Sequence, residues 1–254
     1  MPITIKSARE IELMTEAGKI LESVHKELEK ALRPGMSNLE INKLGEEVIR
    51  SYGGIPSFLD YNGYPASICV SVNDEVVHGI PSKDRILKDG DIVSLDAGVI
   101  YKGYHSDAAR THAIGEISKE ASDLIKVTRE AFFEGIKFAK EGNHLFDISA
   151  AIGRYASERG YGVVRDLCGH GIGTSLHEAP EIPNYEMNRK GVLLKAGMTL
   201  AIEPMINIGG WEVEWLSDDW TVVTRDHSLS AHYENTVLIT KDEPKLLTLT
   251  DTSL

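Results

Sequence analysis

Acidic side chains recur within short apolar stretches of this sequence. The segment DIVSLDAGVIYKGYHSDAART, residues 91–111, carries Asp96 and Asp107 among small residues. TLAIEPMI and SAHYENTVLIT carry Glu203 and Glu234 in similar surroundings. Two carboxylates brought together in a fold repel, so one is neutralised by a proton unless a cation lies between them. These four residues are therefore candidate metal ligands.

A glycine-rich segment, CGHGIGTSLHEAP, adds two histidines, His170 and His177. Its glycines would let the backbone approach whatever His170 binds. A phosphate-binding loop is the alternative, but no Lys-Ser/Thr follows and no strand–loop–helix context supports it. Four carboxylates and one imidazole suit two divalent ions such as Mn²⁺, Fe²⁺, Co²⁺ or Zn²⁺ rather than a thiolate zinc site. Two such ions sharing a hydroxide supply a nucleophile at neutral pH without an activated Ser or Cys.

A hairpin predicted over residues 91–113, turning at residues 102–103, would bring the first two acids together. Asp96 then lies opposite Ala109, and Asp107 is a diagonal neighbour on the same face, about 7–8 Å away at the backbone. Alternation alone also fits a solvent-facing strand face. Such faces usually carry long charged side chains, whereas this one carries small residues around its acids, which favours a cation site.

The surrounding pattern is one of helices followed by strands. A helix is predicted over residues 8–31, where Ser7 and Glu10 form a capping box. A second helix follows Ser37 and ends near Gly53. The other predicted elements are helices near 118–139 and 145–159 and strands at 68–72, 91–100, 104–113, 163–167, 198–207, 220–225 and 232–239.

An internal repeat is the second organising feature. ILKDGDIVSLD resembles LLKAGMTLAIE at an offset of 107 residues, and the same offset aligns LRPGMSNLEI with AKEGNHLFDI. Under this offset Asp96 falls on Glu203, a carboxylate on a carboxylate. No Pro- or Ser-rich linker separates the copies. We predict one domain over residues 1–254, with halves at approximately 7–113 and 114–240.

Composition excludes several classes of protein. The net charge of −12 argues against a nucleic-acid surface or an anionic-membrane surface. No apolar run approaches the ~20 residues of a membrane span, and MPITIKSARE lacks the apolar core of a signal peptide. Two isolated cysteines, Cys69 and Cys168, fit a reducing compartment. We expect a cytoplasmic monomer.

Together with YNGYPASICVSVNDEVVHGIP, these motifs resemble those of bacterial-type methionine aminopeptidases of type I. The resemblance implies the α+β pita-bread fold of creatinases and X-Pro peptidases, with two pseudo-symmetric halves and a curved antiparallel sheet backed by helices. It implies an enzyme that removes the initiator methionine from nascent polypeptide N-termini when the second residue is small. A metal-bridged hydroxide would attack the scissile carbonyl. The implied ligands of two divalent ions (Mn, Fe(II), Co or Zn) are Asp96, Asp107, His170, Glu203 and Glu234.

The same resemblance implies roles for further residues. Glu203 would pass a proton to the leaving amine, His177 would stabilise the developing oxyanion, and His78 would bind the substrate backbone. Without the family motifs, the favoured interpretations are a turn histidine for His78 and a helix or strand-end cap for His177. The implied methionine pocket, for which ordinary core packing is the alternative, consists of Phe58, Tyr61, Tyr64, Cys69, Leu176 and Trp220.

Some positions depart from the family pattern. Phe58, Asn62 and Leu176 stand where many bacterial members carry Cys, His and Phe, which predicts an altered pocket rim.

An X-Pro peptidase is one alternative function, although its histidines are usually spaced further apart. A type II enzyme would need an insertion between His177 and Glu203, and a non-catalytic relative would have lost ligands. A transient ribosome contact would suit an enzyme of nascent chains, but no docking patch is visible.

Overall fold

The computed structural model describes residues 2–249, which form α-helices and antiparallel strands. The helices are α1 (Ala8–Ala31), α2 (Asn38–Ser51), α3 (Lys119–Ile136) and α4 (Leu145–Ser157), with a 3₁₀ turn at Tyr61–Gly63. The strands are β1 (Ile55–Pro56), β2 (Ile68–Val72), β3 (Glu75–Val77), β4 (Ile92–Tyr101), β5 (Tyr104–Ala113), β6 (Gly162–Val163), β7 (Gly169–Gly171), β8 (Glu178–Ile182), β9 (Thr199–Ile202), β10 (Met205–Asn207), β11 (Val213–Trp215), β12 (Val222–Thr224), β13 (Ser230–His232), β14 (Asn235–Leu238) and β15 (Lys245–Leu246). Within residues 2–249 no helix is both long and apolar enough to cross a membrane.

The first two helices begin where their capping residues predict. The Ser7 hydroxyl accepts from the Glu10 N–H, and the Glu10 carboxylate accepts from the Ser7 N–H at 2.7 Å. Ser37 and Glu40 repeat this arrangement at α2. Each box satisfies N–H groups that a helix start leaves unpaired. Apolar residues of both helices, such as Leu21, pack with those of β2 and β4 in one buried cluster.

The first sheet is built around β4. It pairs with β5 along one edge and with β1 and β2 along the other. Lys102 (φ 50°) and Gly103 (φ 87°) form the tight turn, the left-handed pair that suits a two-residue hairpin. Asp96 lies opposite Ala109, which confirms the predicted register.

The second large sheet has the strand order β15-β14-β9-β7-β8, and α3 and α4 contribute to the apolar cluster that packs against it. Two small sheets, β13-β10-β6 and β11-β12-β3, complete the set.

The predicted strands 198–207 and 232–239 are each interrupted, so the placement of Glu203 and Glu234 within strands was wrong. Glu203 follows the end of β9, and Glu234 lies between β13 and β14. The predicted strand at 163–167 shrinks to β6, and the single domain with an internal repeat stays a prediction.

Threonine hydroxyls join β5 to the residues around the second interruption. The Thr236 hydroxyl accepts from the Asp107 N–H at 2.8 Å and donates to the Asp107 carbonyl at 2.9 Å. The Thr111 hydroxyl makes the same pair of bonds to His232, both at 2.9 Å. We call this contact between β5 and residues 232–236 the seam. It fixes Asp107 relative to a segment that is more than a hundred residues away in the sequence.

Replacing Thr236 with Val keeps the side-chain shape but removes both bonds to Asp107. The buried Asp107 N–H then lacks its partner, which costs about 1–3 kcal/mol. We expect the free energy of unfolding, measured in urea, to fall by that amount. Thr15→Val is the control, because the Thr15 hydroxyl donates within its own helix, to the Ile11 carbonyl. Equal losses in the two variants would contradict the role of the seam.

Candidate metal centre and substrate pocket

Side chains from both large sheets line one cavity of about 160 Å³. Its acidic and imidazole lining consists of Asp96, Asp107, His170, Glu203, Glu234, His78 and His177. The rest of the lining consists of Phe58, Tyr61, Asn62, Tyr64, Cys69, Leu176 and Trp220. The structure therefore brings every sequence-predicted site residue into the same cavity.

His170 lies in a strand rather than in the predicted loop. It is the central residue of β7, which pairs with β8 and β9. A Cβ at Gly169 would lie 2.4 Å from the Ala201 carbonyl oxygen, and one at Gly171 would lie 2.2 Å from that of Ala179. The close approach of the neighbouring strands therefore requires both flanking glycines.

The geometry of His170 suits a metal ligand. Its Nδ1 is 2.9 Å from the Gly171 carbonyl oxygen, which can only accept, so Nδ1 carries the proton. Nε2 therefore presents a lone pair, 3.8 Å from Asp107 Oδ2 and 3.5 Å from Glu203 Oε1. Ligand atoms of Asp107, His170 and Glu234 all lie within 4.8 Å of one another. Fixing the tautomer through the far nitrogen is the usual arrangement for a metal-binding histidine.

Without a cation, the four carboxyl groups of the cavity favour their protonated forms. Burial raises the pKa of Asp96 to about 7, and the Asp96 and Asp107 carboxyls are hydrogen-bonded to each other. Burial, and then repulsion by neighbouring carboxylates, raises the pKa of Asp107, Glu203 and Glu234. Within residues 2–249, Asp96 Oδ1, Asp107 Oδ1 and Glu234 Oε1 find no hydrogen-bond partner. Orphaned buried oxygens of this kind fit a set of divalent-ion ligands.

His177 has a hydroxyl group, not a carbonyl, beside its Nδ1. Tyr61 Oη lies 2.7 Å from His177 Nδ1, and the Asn62 side chain is hydrogen-bonded to Tyr61. The phenol oxygen can accept from the Asn62 amide while its own hydrogen goes to Nδ1, an arrangement that leaves Nε2–H of His177 as a donor. Burial lowers the pKa of His177, so the ring is neutral. The His170 and His177 ring centroids are 4.2 Å apart.

His78 has a strained backbone. Its φ of 60° lies in the left-handed region, which non-glycine residues seldom adopt and which is often found at functional sites. Burial, with a smaller effect of His177, lowers its pKa to about 4. The Trp220 ring stands edge-on to it at 6.3 Å. The histidine is thus held neutral in the cavity wall.

The apolar part of the cavity forms a pocket beside the acids. Phe58, Tyr64, Cys69 and Leu176 are buried, and the Tyr64 hydroxyl donates to the Gly79 carbonyl at 2.9 Å. The Trp220 ring meets that of Tyr64 edge-on at 5.1 Å. Burial raises the pKa of the Cys69 thiol, which therefore stays protonated and apolar. An aromatic-lined slot of this kind suits an unbranched thioether side chain.

Residues 12–241 match the model of metallopeptidase family M24. The chain belongs to this family. It is 56% identical to the methionine aminopeptidase of Clostridium acetobutylicum, over 97% of this chain and 99% of that protein. The crystal structure of methionine aminopeptidase from Thermotoga maritima superposes with a TM-score of 0.95 at 44% identity, covering 97% of this chain and 99% of that chain. Xaa-Pro dipeptidase from Bacillus anthracis reaches a TM-score of 0.78 at 28% identity, but the match covers only 63% of that chain.

These likenesses confirm the pita-bread fold and put the chain among the methionine aminopeptidases of family M24. Membership of a metallopeptidase family, with the ligand cluster at Asp107, His170 and Glu234, indicates dependence on divalent metal.

A buried ion pair lies next to His177 in the sequence of this M24 protein and was not predicted. Lys6 Nζ lies 2.8 Å from the carboxylate of Glu178, the residue after His177, and both side chains are less than a tenth exposed. A Cβ at Gly173 would lie 2.4 Å from Lys6 Cε, so the loop closes over the lysine. The partners are separated by 172 residues, and no local pattern indicates their contact.

Arg110 is a second residue that sequence reasoning missed. Its guanidinium donates to the main-chain carbonyls of Ala109 and Glu234 and to Asn235 Oδ1, and it lies over the Tyr233 ring. Its charge offsets part of the rise in the pKa of Glu234. An arginine among the small residues of a predicted strand was the only local signal.

Metal binding should weaken as the pH falls through about 7, the pKa of Asp96. The ligands must first lose protons, so the apparent dissociation constant of Mn²⁺ should rise about tenfold per pH unit for each proton displaced. The raised pKa values also determine how the stability of the metal-free fold changes with pH. Raised carboxyl pKa values stabilise the metal-free fold at low pH, and this stabilisation is lost as the pH rises through those values. Added Mn²⁺ should therefore raise the thermal midpoint more at about pH 8 than at about pH 6.

Isothermal titration calorimetry of chelator-stripped protein across this pH range checks the prediction. Asp107→Asn is the control, because its neutral amide has no proton to displace. It should bind Mn²⁺ weakly and lose part of the pH dependence. A dissociation constant that does not change with pH in the unsubstituted protein would contradict the protonated site.

Proposed function

We propose that this protein removes the N-terminal methionine from nascent polypeptides when the second residue is small. The observation that carries the proposal is the apolar pocket of Tyr64, Cys69 and Trp220, which opens into the same cavity as the carboxylate cluster. A methionine side chain held there would set its own carbonyl beside the acids. The methionine aminopeptidases at 44–56% identity support the same reaction.

The proposed ligands are Asp96, Asp107, His170, Glu203 and Glu234, holding two divalent ions from among Mn²⁺, Fe²⁺, Co²⁺ and Zn²⁺. When bound, such ions polarise a carbonyl and lower the pKa of water, so that hydroxide is available at neutral pH. The proposal includes action in the cytoplasm as a monomer on the N-termini of nascent chains, with at most a transient ribosome contact.

The chain's own residues supply the remaining groups. Hydrolysis adds hydroxide to the methionine carbonyl carbon and a proton to the amine that leaves. Glu203, whose pKa is raised by burial, is the group that carries this proton. The Nε2–H of His177 donates to the carbonyl oxygen as negative charge develops there, an interaction that is strongest in the transition state. His78 donates to or accepts from the substrate backbone beyond the cleaved bond.

Release of free amino acids from two peptides tests the proposal. The protein is stripped with chelator, then titrated with Mn²⁺, Co²⁺ and Fe²⁺ against Met-Ala-Ser and an Ala-Pro tripeptide. We expect metal-dependent release of Met and no cleavage of the Ala-Pro peptide, because the pocket is shaped for a long apolar side chain.

Two controls complete this experiment. Glu203→Gln should reduce Met release by at least about a hundredfold, since general acid–base catalysis typically contributes that much or more. Met-Trp-Ser should be cleaved far more slowly than Met-Ala-Ser. Cleavage of the Ala-Pro peptide alone would assign the site to X-Pro substrates, and no cleavage despite metal binding would overturn the proposed substrate.

Tyr61→Phe tests the tautomer of His177. In the proposed tautomer the Tyr61 hydroxyl, 2.7 Å from Nδ1, is the donor. The variant keeps the aromatic wall but loses this hydroxyl, so the ring is no longer fixed with Nε2–H as donor. A lost hydrogen bond of about 0.5–1.5 kcal/mol predicts a fall in kcat of between about twofold and tenfold, with KM nearly unchanged. Tyr52→Phe, at an exposed site, is the matched control. A change confined to KM would instead assign Tyr61 to methionine binding alone.

A further inference from the structure

A histidine outside the cavity lining described above, His232, also reaches the acidic cluster. His232, the last residue of β13, is 2% exposed, and its Nε2 lies 3.8 Å from Glu203 Oε2 and 4.0 Å from Glu234 Oε2. Within residues 2–249 this nitrogen has no hydrogen-bond partner. A buried polar atom without a partner is costly, and it calls for a physical explanation.

The main chain of His232 is fixed close to Glu203. Its N–H and carbonyl both bond the Thr111 hydroxyl, which also lies 2.8 Å from the Ser94 hydroxyl. His232 also pairs with Met205 in the β13–β10 ladder, two residues beyond Glu203. The main chain at His232 therefore cannot move away from the acids without breaking the seam.

Glu203 lies between two imidazoles that differ in what they can offer. One carboxylate oxygen is 3.5 Å from His170 Nε2, and the other is 3.8 Å from His232 Nε2. His170 carries its proton on Nδ1, which is bonded to the Gly171 carbonyl, so its Nε2 has no hydrogen to donate. His232 is the imidazole of this pair that can give Glu203 an N–H.

We infer that His232 is a positioning residue of the metal site, whose Nε2–H donates to the Glu203 carboxylate and holds it in its metal-binding orientation. The inference rests on the proposed function, because it assigns Glu203 to the metal. A rotation of the Glu203 side chain that closes the gap by about 1 Å brings the two atoms to hydrogen-bond distance. Glu234 Oε2 lies 4.0 Å from the same nitrogen.

Mn²⁺ binding by two variants tests the inference. His232→Leu removes the donor at similar volume, whereas His232→Gln keeps an N–H donor. Loss of a hydrogen bond to a metal ligand typically weakens metal affinity 10–100-fold. Calorimetry on chelator-stripped protein should show a rise of about that size in the Mn²⁺ dissociation constant for His232→Leu and near-normal binding for His232→Gln. The visible spectrum of the Co²⁺-loaded protein should change in His232→Leu and be restored in His232→Gln.

His112→Leu is the matched control, since His112 also has a buried Nε2 without a partner in the described chain but makes no close approach to a site carboxylate. It should bind Mn²⁺ normally. Normal binding by His232→Leu would overturn the inference, as would a dissociation constant for His232→Gln as high as that for His232→Leu. Methionine release by the unsubstituted protein is measured alongside. If that release fails while the pattern of metal affinities holds, the substrate proposal falls and the positioning role stands.

Discussion

Four carboxyl groups buried in one cavity repel one another, and the surrounding fold has to hold them there. Burial raises the pKa of each group. In the metal-free protein the repulsion is relieved by protons, one of which joins Asp96 to Asp107. Divalent metal would relieve it with opposite charge and free those protons. The fold therefore stabilises an arrangement that is unfavourable by itself and that bound metal would complete.

The strands are interrupted at two of these four carboxylates. Glu203 and Glu234 lie where strands break, which frees their side chains from strict alternation but also frees backbone groups from the ladders. Those groups find other partners: the Tyr233 N–H donates to the Pro204 carbonyl at 3.2 Å and the Glu234 N–H to the Ala109 carbonyl at 3.0 Å. The second bond crosses the seam. The same contacts that satisfy the interrupted strands thus bring carboxylates from distant segments together.

The features that the sequence predicted well are those that depend on near neighbours. The capping boxes, the helix starts and the hairpin register around Asp96 each depend on residues within about twenty positions of one another. Pro204 was a visible sign that the strand at Glu203 ends, because proline cannot donate to a ladder. No such sign marks Glu234. Contacts such as Lys6–Glu178 join residues so far apart that no periodicity records them.

Two histidines of the cavity differ in the partner of Nδ1. His170 donates through Nδ1 to the Gly171 carbonyl and so offers a lone pair at Nε2. His177 has Nδ1 2.7 Å from the Tyr61 hydroxyl, and in the proposed tautomer it accepts there and offers a hydrogen at Nε2. Asn62, one of the departures from the family pattern, is hydrogen-bonded to that tyrosine. Its amide has two N–H donors, and in the proposed arrangement one of them donates to the phenol while the phenol donates to His177. A change at the pocket rim would then act on the proton arrangement of the site as well as on its shape.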